Sequence, residues 1–332
     1  MLEAELASHL LELLTTAPGD DGIEVTRNRL AHDQSPCVSI CAVDEKLVQH
    51  GRSNDIIVSV ERAMDLLSRA RVRVGERVRA TGSQRAYVGE ASFNGCIAIC
   101  QRPRSEIARW LPAGTRLSDS ADGECAEQVA VFLFGEQTQG TVHFAGVPLT
   151  LGIRYFEFAL LVPGVSLGAD RAAHTFVARM YSSYFPAVWS GNAHFGFAKE
   201  LAQMGWSGSE FWVQPQGGRA ILHAAIERGA EWSPASESAA AGVSMLRLLS
   251  QLPVLGLRRD GRMVRSRFEF GLSTASARAA EATLFVANSL APGQHPGEYR
   301  AAPGSALEIR DVAWRLGWPE PIASQSDDWG GE

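Results

Sequence analysis

Apolar and polar residues follow two different patterns along the chain, and the change of pattern divides it. Residues 2–14 carry leucines at helical spacing on one face, and residues 55–70 repeat this pattern behind Asn54, a residue type that favours helix N-termini. Both segments are predicted to be amphipathic helices. From Val72 onward the apolar residues fall at every second position, which is typical of strands, and we place a domain boundary near residue 82.

Beyond this boundary the chain is a series of short strand-like runs separated by Gly and Pro. A short helix is predicted over 103–111, where Pro103 begins it and Pro112 ends it. The predicted strands are FNGCIAIC, VAVFLFG, TVHFAGVPLTLG, IRYFEFALLVPG, HTFVARMYSSYF, EFWVQ, RAILHAAIE, VSMLRLLSQ, MVRSRFEFGLS, EATLFVAN and ALEIRDVAW. This succession indicates an antiparallel sheet or barrel. A nucleotide-binding α/β fold is not favoured, because no Gly-rich loop joins a strand to a helix.

Composition and charge exclude several classes of partner. The 332 residues carry a formal net charge of −6, and no basic cluster is interleaved with aromatic residues, so nucleic acid is not an expected partner. The first residues include glutamates, lack a basic start and are not followed by a cleavage site, and no run reaches about 18 apolar residues. A cytoplasmic protein without a membrane partner is therefore predicted.

The cysteines raise the question of a metal site. Cys37 and Cys41, and also Cys96 and Cys100, are separated by three residues within apolar runs, and Cys125 leaves an odd total of five. Structural zinc sites favour other spacings with polar surroundings. Residues four apart on a strand share one face, so buried free thiols are predicted and no metal is expected.

Lys199 is the most informative single residue, because the chain contains only two lysines and otherwise uses arginine for positive charge. A lysine can become a neutral, nucleophilic amine, whereas arginine keeps its proton. Phe195, Phe197 and Leu201 surround it in sequence, so burial is expected, and full burial lowers a lysine pKa by roughly 3 to 5 units. The alternative is a surface lysine at a helix start.

Glu157 in IRYFEFALLVP and Lys199 in GNAHFGFAKELA lie 42 residues apart. This order and spacing resembles the acetoacetate decarboxylase superfamily, in which a Y-x-E strand precedes a Pro-Lys run by about forty residues. The resemblance covers about 86–320. It implies an α+β domain over 83–322 that is mainly antiparallel β, a curved β-barrel or cone with peripheral helices, usually homo-oligomeric. Residues 1–82 would then be an N-terminal helical or mixed extension, and 323–332 a flexible tail.

The resemblance also implies roles for individual residues. Lys199 would form a Schiff base with a substrate ketone, Glu157 would position the substrate or move a proton, and Tyr155 would lie beside Glu157. Further substrate-binding candidates are His194, Asn192, Phe197 and Tyr181. No cofactor is expected, because the iminium is itself the electron sink. The second lysine of the family motif is Glu200 in this sequence, and its Arg-Glu pair is Asn192 and Ala193.

Three functional hypotheses follow. The first is a Schiff-base-forming carbon–carbon lyase that acts on a keto acid or a larger keto intermediate, with decarboxylation as the reaction that the family implies. The second is aldolase, dehydratase or cyclisation-type chemistry with the same lysine, in specialised metabolism. The third, from another class, is a non-catalytic ligand-binding or assembly protein. The expected partner in the first two is a small-molecule keto substrate.

Overall fold

The computed structural model describes residues 87–118, 126–144, 147–150, 152–168 and 172–322. The helices predicted over 2–14 and 55–70, together with the rest of the 1–82 extension, lie outside the described residues, as do Cys37, Cys41, Cys125 and the 323–332 tail. The described residues within 86–140 and 153–332 form one compact unit. Residues 141–152, which carry a hairpin, fall outside this unit.

Strands make up most of the described chain, as the sequence predicts. They are β1 (Tyr87–Pro103), β2 (Thr115–Leu117), β3 (Glu127–Phe144), β4 (Val147–Thr150), β5 (Tyr155–Leu167), β6 (His174–Ser182), β7 (Lys199–Ser207), β8 (Glu210–Pro215), β9 (Leu222–Arg228), β10 (Ser233–Pro234), β11 (Val254–Leu257), β12 (Met263–Ser266), β13 (Phe268–Gly271), β14 (Ser276–Val286), β15 (Gly297–Arg300), β16 (Ala306–Gly317) and β17 (Glu320–Pro321).

Helices are few and short among the described residues. They are α1 (Arg104–Ile107), which continues as the 3₁₀ turn Ala108–Trp110, then α2 (Phe185–Ser190), which continues as the π-helical turn Gly191–Phe195, and α3 (Ala241–Gln251). The short helix predicted over 103–111 is thus present. No helix in this part of the chain is both long and apolar enough to cross a membrane.

Nine strands close into a barrel. Hydrogen-bonded pairing runs in the order β1, β3, β5, β6, β7, β8, β9, β14, β16 and returns to β1. Within this ring β6 and β7 are parallel. Antiparallel pairing joins β3 to β5, β5 to β6, β7 to β8, β8 to β9, β9 to β14, β14 to β16 and β16 to β1. The prediction of an α+β fold that is mainly an antiparallel barrel with peripheral helices is therefore confirmed.

Alternate residues of the strands build two separate apolar clusters. Phe132, Phe134 and Phe158 belong to a cluster to which all nine barrel strands contribute, and this cluster fills the barrel. The residues between them, such as Val131 and Leu133, face a second cluster that is covered by α3 and β13. Period-two alternation in the sequence thus specifies two cores, one on each face of the same strands.

Strands β1 and β3 cross very closely at Gly95 and Gly135. A Cβ atom on Gly95 would overlap the Phe134 carbonyl oxygen, and one on Gly135 would overlap the Asn94 carbonyl oxygen. Only glycine fits both positions. Gly135 is the register partner of Glu157 on β5, so this close approach lies beside the predicted catalytic carboxylate.

Cys96 and Cys100 lie buried on one face of β1, within the barrel cluster, and both are free thiols. The predicted shared face for residues four apart is therefore present. Burial raises the pKa of the Cys100 thiol to about 12 and raises that of Cys96 further. Both side chains act as small apolar core residues.

One local prediction is wrong, and one alternative interpretation does not hold. VSMLRLLSQ is helix α3, not a strand, and it buries Val243, Leu246 and Leu249 at intervals of three residues. Its apolar residues are dense enough to imitate a fully buried strand, but the three-residue interval is helical. Lys199 begins strand β7 and does not lie at a helix start, because the helical segment ends before it at Phe195.

Candidate active site

The chain reaches Lys199 through a tight reversal. The π-helical turn ends at Phe195, and Gly196 follows with a left-handed φ of 64°. A side chain at Gly196 would meet the backbone of Leu257, so glycine is required both for the turn and for the close approach. The chain then enters β7 at Lys199, which lies beside Met180 of the parallel strand β6.

Asn192 holds the Lys199 backbone from both sides. Its Nδ2 donates to the Lys199 carbonyl oxygen at 2.7 Å, and its Oδ1 accepts from the Lys199 amide at 2.9 Å. The neighbouring Gly191 leaves room for the lysine stem, because a Cβ there would lie 3.3 Å from Lys199 Cδ and 3.4 Å from Cε. Asn192 is therefore placed to position the lysine. Both polar atoms of its side chain already bind the Lys199 backbone, and this contrasts with the substrate-binding role predicted from the sequence.

The Lys199 side chain forms a buried ion pair with Glu157. The Lys199 Nζ lies 3.2 Å from Glu157 Oε2, and the two side chains are 7% and 13% exposed. Both charges have lost most of their hydration, so each depends on the other for compensation. The two residues that carried the sequence hypothesis are thus in direct contact.

Glu157 is fixed by its place in β5, between β3 and β6. Its register partners are Gly135 and Ser182. Tyr155, two residues earlier, shares its strand face, and the Tyr155 ring lies 5.5 Å from that of Tyr184. Burial raises the Tyr155 pKa well above its usual value near 10, and the adjacent Glu157 charge adds to this effect. Tyr155 is therefore a neutral phenol beside the carboxylate.

A cavity of about 70 Å³ adjoins this pair on the side of the second apolar cluster. Glu157 lines it, as do Met180 and Phe197, which are respectively the register partner of Lys199 and the residue two before it. Lys199 is not itself a lining residue, and it adjoins the cavity through its contact with Glu157 and its register with Met180. The volume of about 70 Å³ is the space open to the centres of water-sized molecules, and it suffices for several waters or for a narrow organic chain.

The far wall of the cavity comes from strands that are distant in sequence. Phe268 and Phe270 of β13 pack with a centroid separation of 4.7 Å, and Phe268 stacks on Trp314 of β16 at 5.3 Å. The Trp314 Nε1 donates to Gln137 Oε1 at 2.5 Å. Sequence analysis did not select these wall residues, because no local motif marks them and only strand pairing brings them together.

The remaining predicted site residues lie elsewhere. Tyr181 belongs to the barrel cluster on the opposite face of β6, where its hydroxyl accepts from Arg179 Nε at 3.2 Å. Glu200 lies on that face as well and pairs with Arg179 at 2.8 Å. The His194 ring packs edge-on against Trp189 at 5.3 Å. None of these side chains lines the cavity.

No group of three or more His, Cys, Asp or Glu residues that could hold a metal ion occurs among the described residues. The polar groups at the centre of the site are a single amine and a single carboxylate. This pair can exchange a proton, and the amine can become a nucleophile once it has lost one. Proton transfer and covalent addition to a carbonyl are the chemistry that the arrangement allows.

Comparison with solved structures gives distant similarities. The chain is similar to acetoacetate decarboxylase-like enzymes. Acetoacetate decarboxylase from Legionella pneumophila has 15% identity and a TM-score of 0.48, covering 70% of this chain and 87% of its own. An acetoacetate decarboxylase-like enzyme from Sphingomonas wittichii has 13% identity and a TM-score of 0.46, covering 73% of this chain and 95% of its own.

The enduracididine biosynthesis enzyme MppR, solved in complex with pyruvate, has 12% identity and a TM-score of 0.47, covering 71% of this chain and 90% of its own. No family model and no curated protein matches the chain. A likeness this distant does not identify the reaction, which must be inferred from the residues of the site.

Proposed function

We propose that the chain is a Schiff-base-forming carbon–carbon lyase that acts on a keto substrate, with decarboxylation of a keto acid as its reaction. The observation that carries the proposal is the buried Lys199 amine, 3.2 Å from the Glu157 carboxylate and next to an apolar cavity. A surface lysine would need neither burial nor a buried carboxylate partner.

The first step is proton transfer. Lys199 must lose a proton before its nitrogen can attack a carbonyl carbon, and Glu157 is at hydrogen-bonding distance to accept it. Addition gives a carbinolamine, and Glu157 then returns the proton to the departing hydroxyl, which leaves as water. An iminium linked to Lys199 remains.

The second step breaks the carbon–carbon bond. The electron pair of the bond to the carboxylate moves toward the iminium nitrogen, so carbon dioxide leaves and an enamine forms. Protonation of the enamine carbon and hydrolysis of the resulting iminium release the ketone and restore the amine. Apolar walls favour this step, because they favour loss of the charged carboxylate as neutral carbon dioxide.

Borohydride trapping tests the proposal. The protein is incubated with a panel of keto acids that includes acetoacetate and pyruvate, reduced, and mapped by mass spectrometry. We expect an adduct at Lys199 that is absent in Lys199→Arg. The chain supplies its own matched control, because Lys46 is the only other lysine and Lys46→Arg should keep the adduct.

Release of carbon dioxide, measured in the same incubations, identifies the decarboxylation step. A trapped adduct without carbon dioxide release would reject decarboxylation while retaining the nucleophile. Absence of an adduct with every keto compound in the panel would reject the enzyme, and a ligand-binding or assembly protein would then be the better account.

The second candidate is aldol, retro-aldol or dehydration chemistry with the same lysine. No arginine or histidine lines the described cavity, and the Lys199 charge is already paired with Glu157, so no lining group is placed to hold a substrate carboxylate. A substrate that keeps no carboxylate at the reacting carbon does not need such a group. Consumption of aldehyde together with a trapped keto adduct would favour this candidate.

The homo-oligomeric state, the cytoplasmic location and the absence of nucleic-acid or membrane partners stay predictions. Size-exclusion chromatography with light scattering of the full chain would measure the first.

A further inference from the structure

We infer, on the basis of the function proposed above, that the substrate is a keto compound with an extended apolar body and a neutral hydrogen-bonding group at its far end. The carbonyl would meet Lys199, the body would lie against the aromatic wall, and the far group would bind the Thr175 hydroxyl. The inference concerns the substrate class and is independent of which bond is broken.

The cavity walls match an apolar body. Twelve of the fifteen residues that line the cavity are apolar, and five of these twelve are aromatic. The indole nitrogen of Trp314 is already bonded to Gln137, so this part of the wall presents ring surface rather than an unpaired donor. Small, strongly polar keto acids would leave most of this surface in contact with water, whereas an alkyl or aryl body would cover it.

Thr175 supplies a polar group at another point of the same wall. Its side chain is fully buried, it lines the cavity, and its Oγ1 has no hydrogen-bond partner among the described residues. Buried hydroxyls are nearly always paired, because an unpaired one loses its hydration without compensation. A ligand group in the cavity would provide the missing partner.

Strand register separates the two ends of the ligand. Lys199 lies beside Met180, and Thr175 lies five residues before Met180 on the same strand, with an irregularity between them where β6 pairs with β5. At about 3.3 Å per residue, this is a span of roughly 13 to 16 Å along β6. Val254, the register partner of Thr175 on β11, also lines the cavity, so the wall beside Thr175 is apolar.

The first arm of the test measures binding against body length. Straight-chain methyl ketones from acetone to 2-undecanone are titrated by borohydride trapping, and calorimetry measures their binding without reduction. We expect the half-saturating concentration to fall about fourfold per added methylene until the cavity is filled. A flat or rising series, with acetoacetate or pyruvate still trapped at Lys199, would overturn the inference and leave the proposed function intact.

The converse outcome separates the two proposals. Calorimetric affinity that improves with body length, without any borohydride adduct, would reject the Schiff-base function and keep the inference about the ligand class. Absence of both adduct and binding would overturn both.

The second arm tests Thr175 directly. For each chain length, the methyl ketone is compared with its ω-hydroxy derivative, and the hydroxyl is expected to improve binding about five- to tenfold at the length that reaches Thr175. This preference should disappear in Thr175→Val, which keeps the shape of the side chain. Thr115→Val is the matched control, because it removes a hydroxyl that donates to the Pro112 carbonyl oxygen outside the cavity. This variant should keep the preference for the ω-hydroxy ketone.

Persistence of the preference in Thr175→Val, or its absence at every length in the unmodified protein, would overturn the role of Thr175. Thermal unfolding of each variant establishes that it is folded before binding is measured.

Discussion

Replacing Lys199 by methionine removes one half of a buried ion pair and leaves Glu157 without its partner. The two side chains are 7% and 13% exposed, so water cannot fully replace the lost ammonium. Breaking a buried pair in this way costs about 3 to 5 kcal/mol of unfolding free energy. In a domain of this size that loss lowers the midpoint of thermal unfolding by about 6 to 20 °C.

Removing both charges should have a much smaller effect. Lys199→Met combined with Glu157→Gln leaves no unpaired buried charge, and replacing a buried pair by neutral groups is often neutral or stabilising. We therefore expect the double variant to be more stable than either single variant, although it forms no borohydride adduct. Loss of activity and loss of stability are thus separated in one set of proteins.

Urea unfolding of the unmodified protein, both single variants and the double variant provides the measurement. The coupling free energy of the resulting cycle should be at least about 2 kcal/mol. A coupling below about 1 kcal/mol, the range found for solvent-exposed pairs, would refute the reasoning, because the pair would then be hydrated and the lysine would not be held in an apolar site.

Three further predictions concern neighbouring groups. Gly191→Ala should push the Lys199 side chain by a few tenths of an ångström and slow borohydride trapping at Lys199. Gly140→Ala is the control, because a Cβ there meets no atom within 4 Å, and it should trap at the normal rate. Equal trapping rates in the two variants would contradict this prediction. Cys100 should not react with iodoacetamide at pH 8 until the protein unfolds, because burial raises its thiol pKa to about 12. Labelling of Cys100 in the folded protein, detected by mass spectrometry, would contradict this prediction. Burial raises the pKa of Tyr184 from 10.0 to about 12, so this residue contributes stability that is present below pH 10 and is lost as the pH rises from 10 to 12. Between pH 9 and 11, the unfolding free energy of Tyr184→Phe, measured in urea, should therefore fall by about 1 kcal/mol less than that of the unmodified protein.

Alternation in the sequence was sufficient to predict most of the strands, because a barrel strand with an apolar core on each face must carry closely spaced apolar residues. It failed at Val243, Leu246 and Leu249, where a helix covers the barrel with equally dense apolar residues. Local pattern cannot separate a short buried helix from a buried strand when both are almost wholly apolar.

The candidate site was predictable only in part, for a related reason. Glu157 and Lys199 stood out because their residue types and spacing resemble a known family motif, and the structure brings them into contact. Thr175, Phe268 and Trp314 gave no such signal, because they become neighbours only through pairing of strands that lie far apart in the sequence. The nucleophile could be recognised from a local motif, whereas the residues that decide which substrate fits are brought together only by closure of the barrel.

Glu200 stands where the motif that this sequence resembles has a second lysine, and in the sequence this difference looks like a direct change to the chemistry. Because Lys199 begins a strand, Glu200 points to the opposite face of the sheet, where Arg179 pairs with it at 2.8 Å. The charge that faces the Lys199 amine comes instead from Glu157, across strand β6. Replacing Glu200 by a neutral residue should therefore disturb Arg179 and leave borohydride trapping at Lys199 largely unchanged. Replacing Glu157 on β5 should instead change the reactivity of the Lys199 amine.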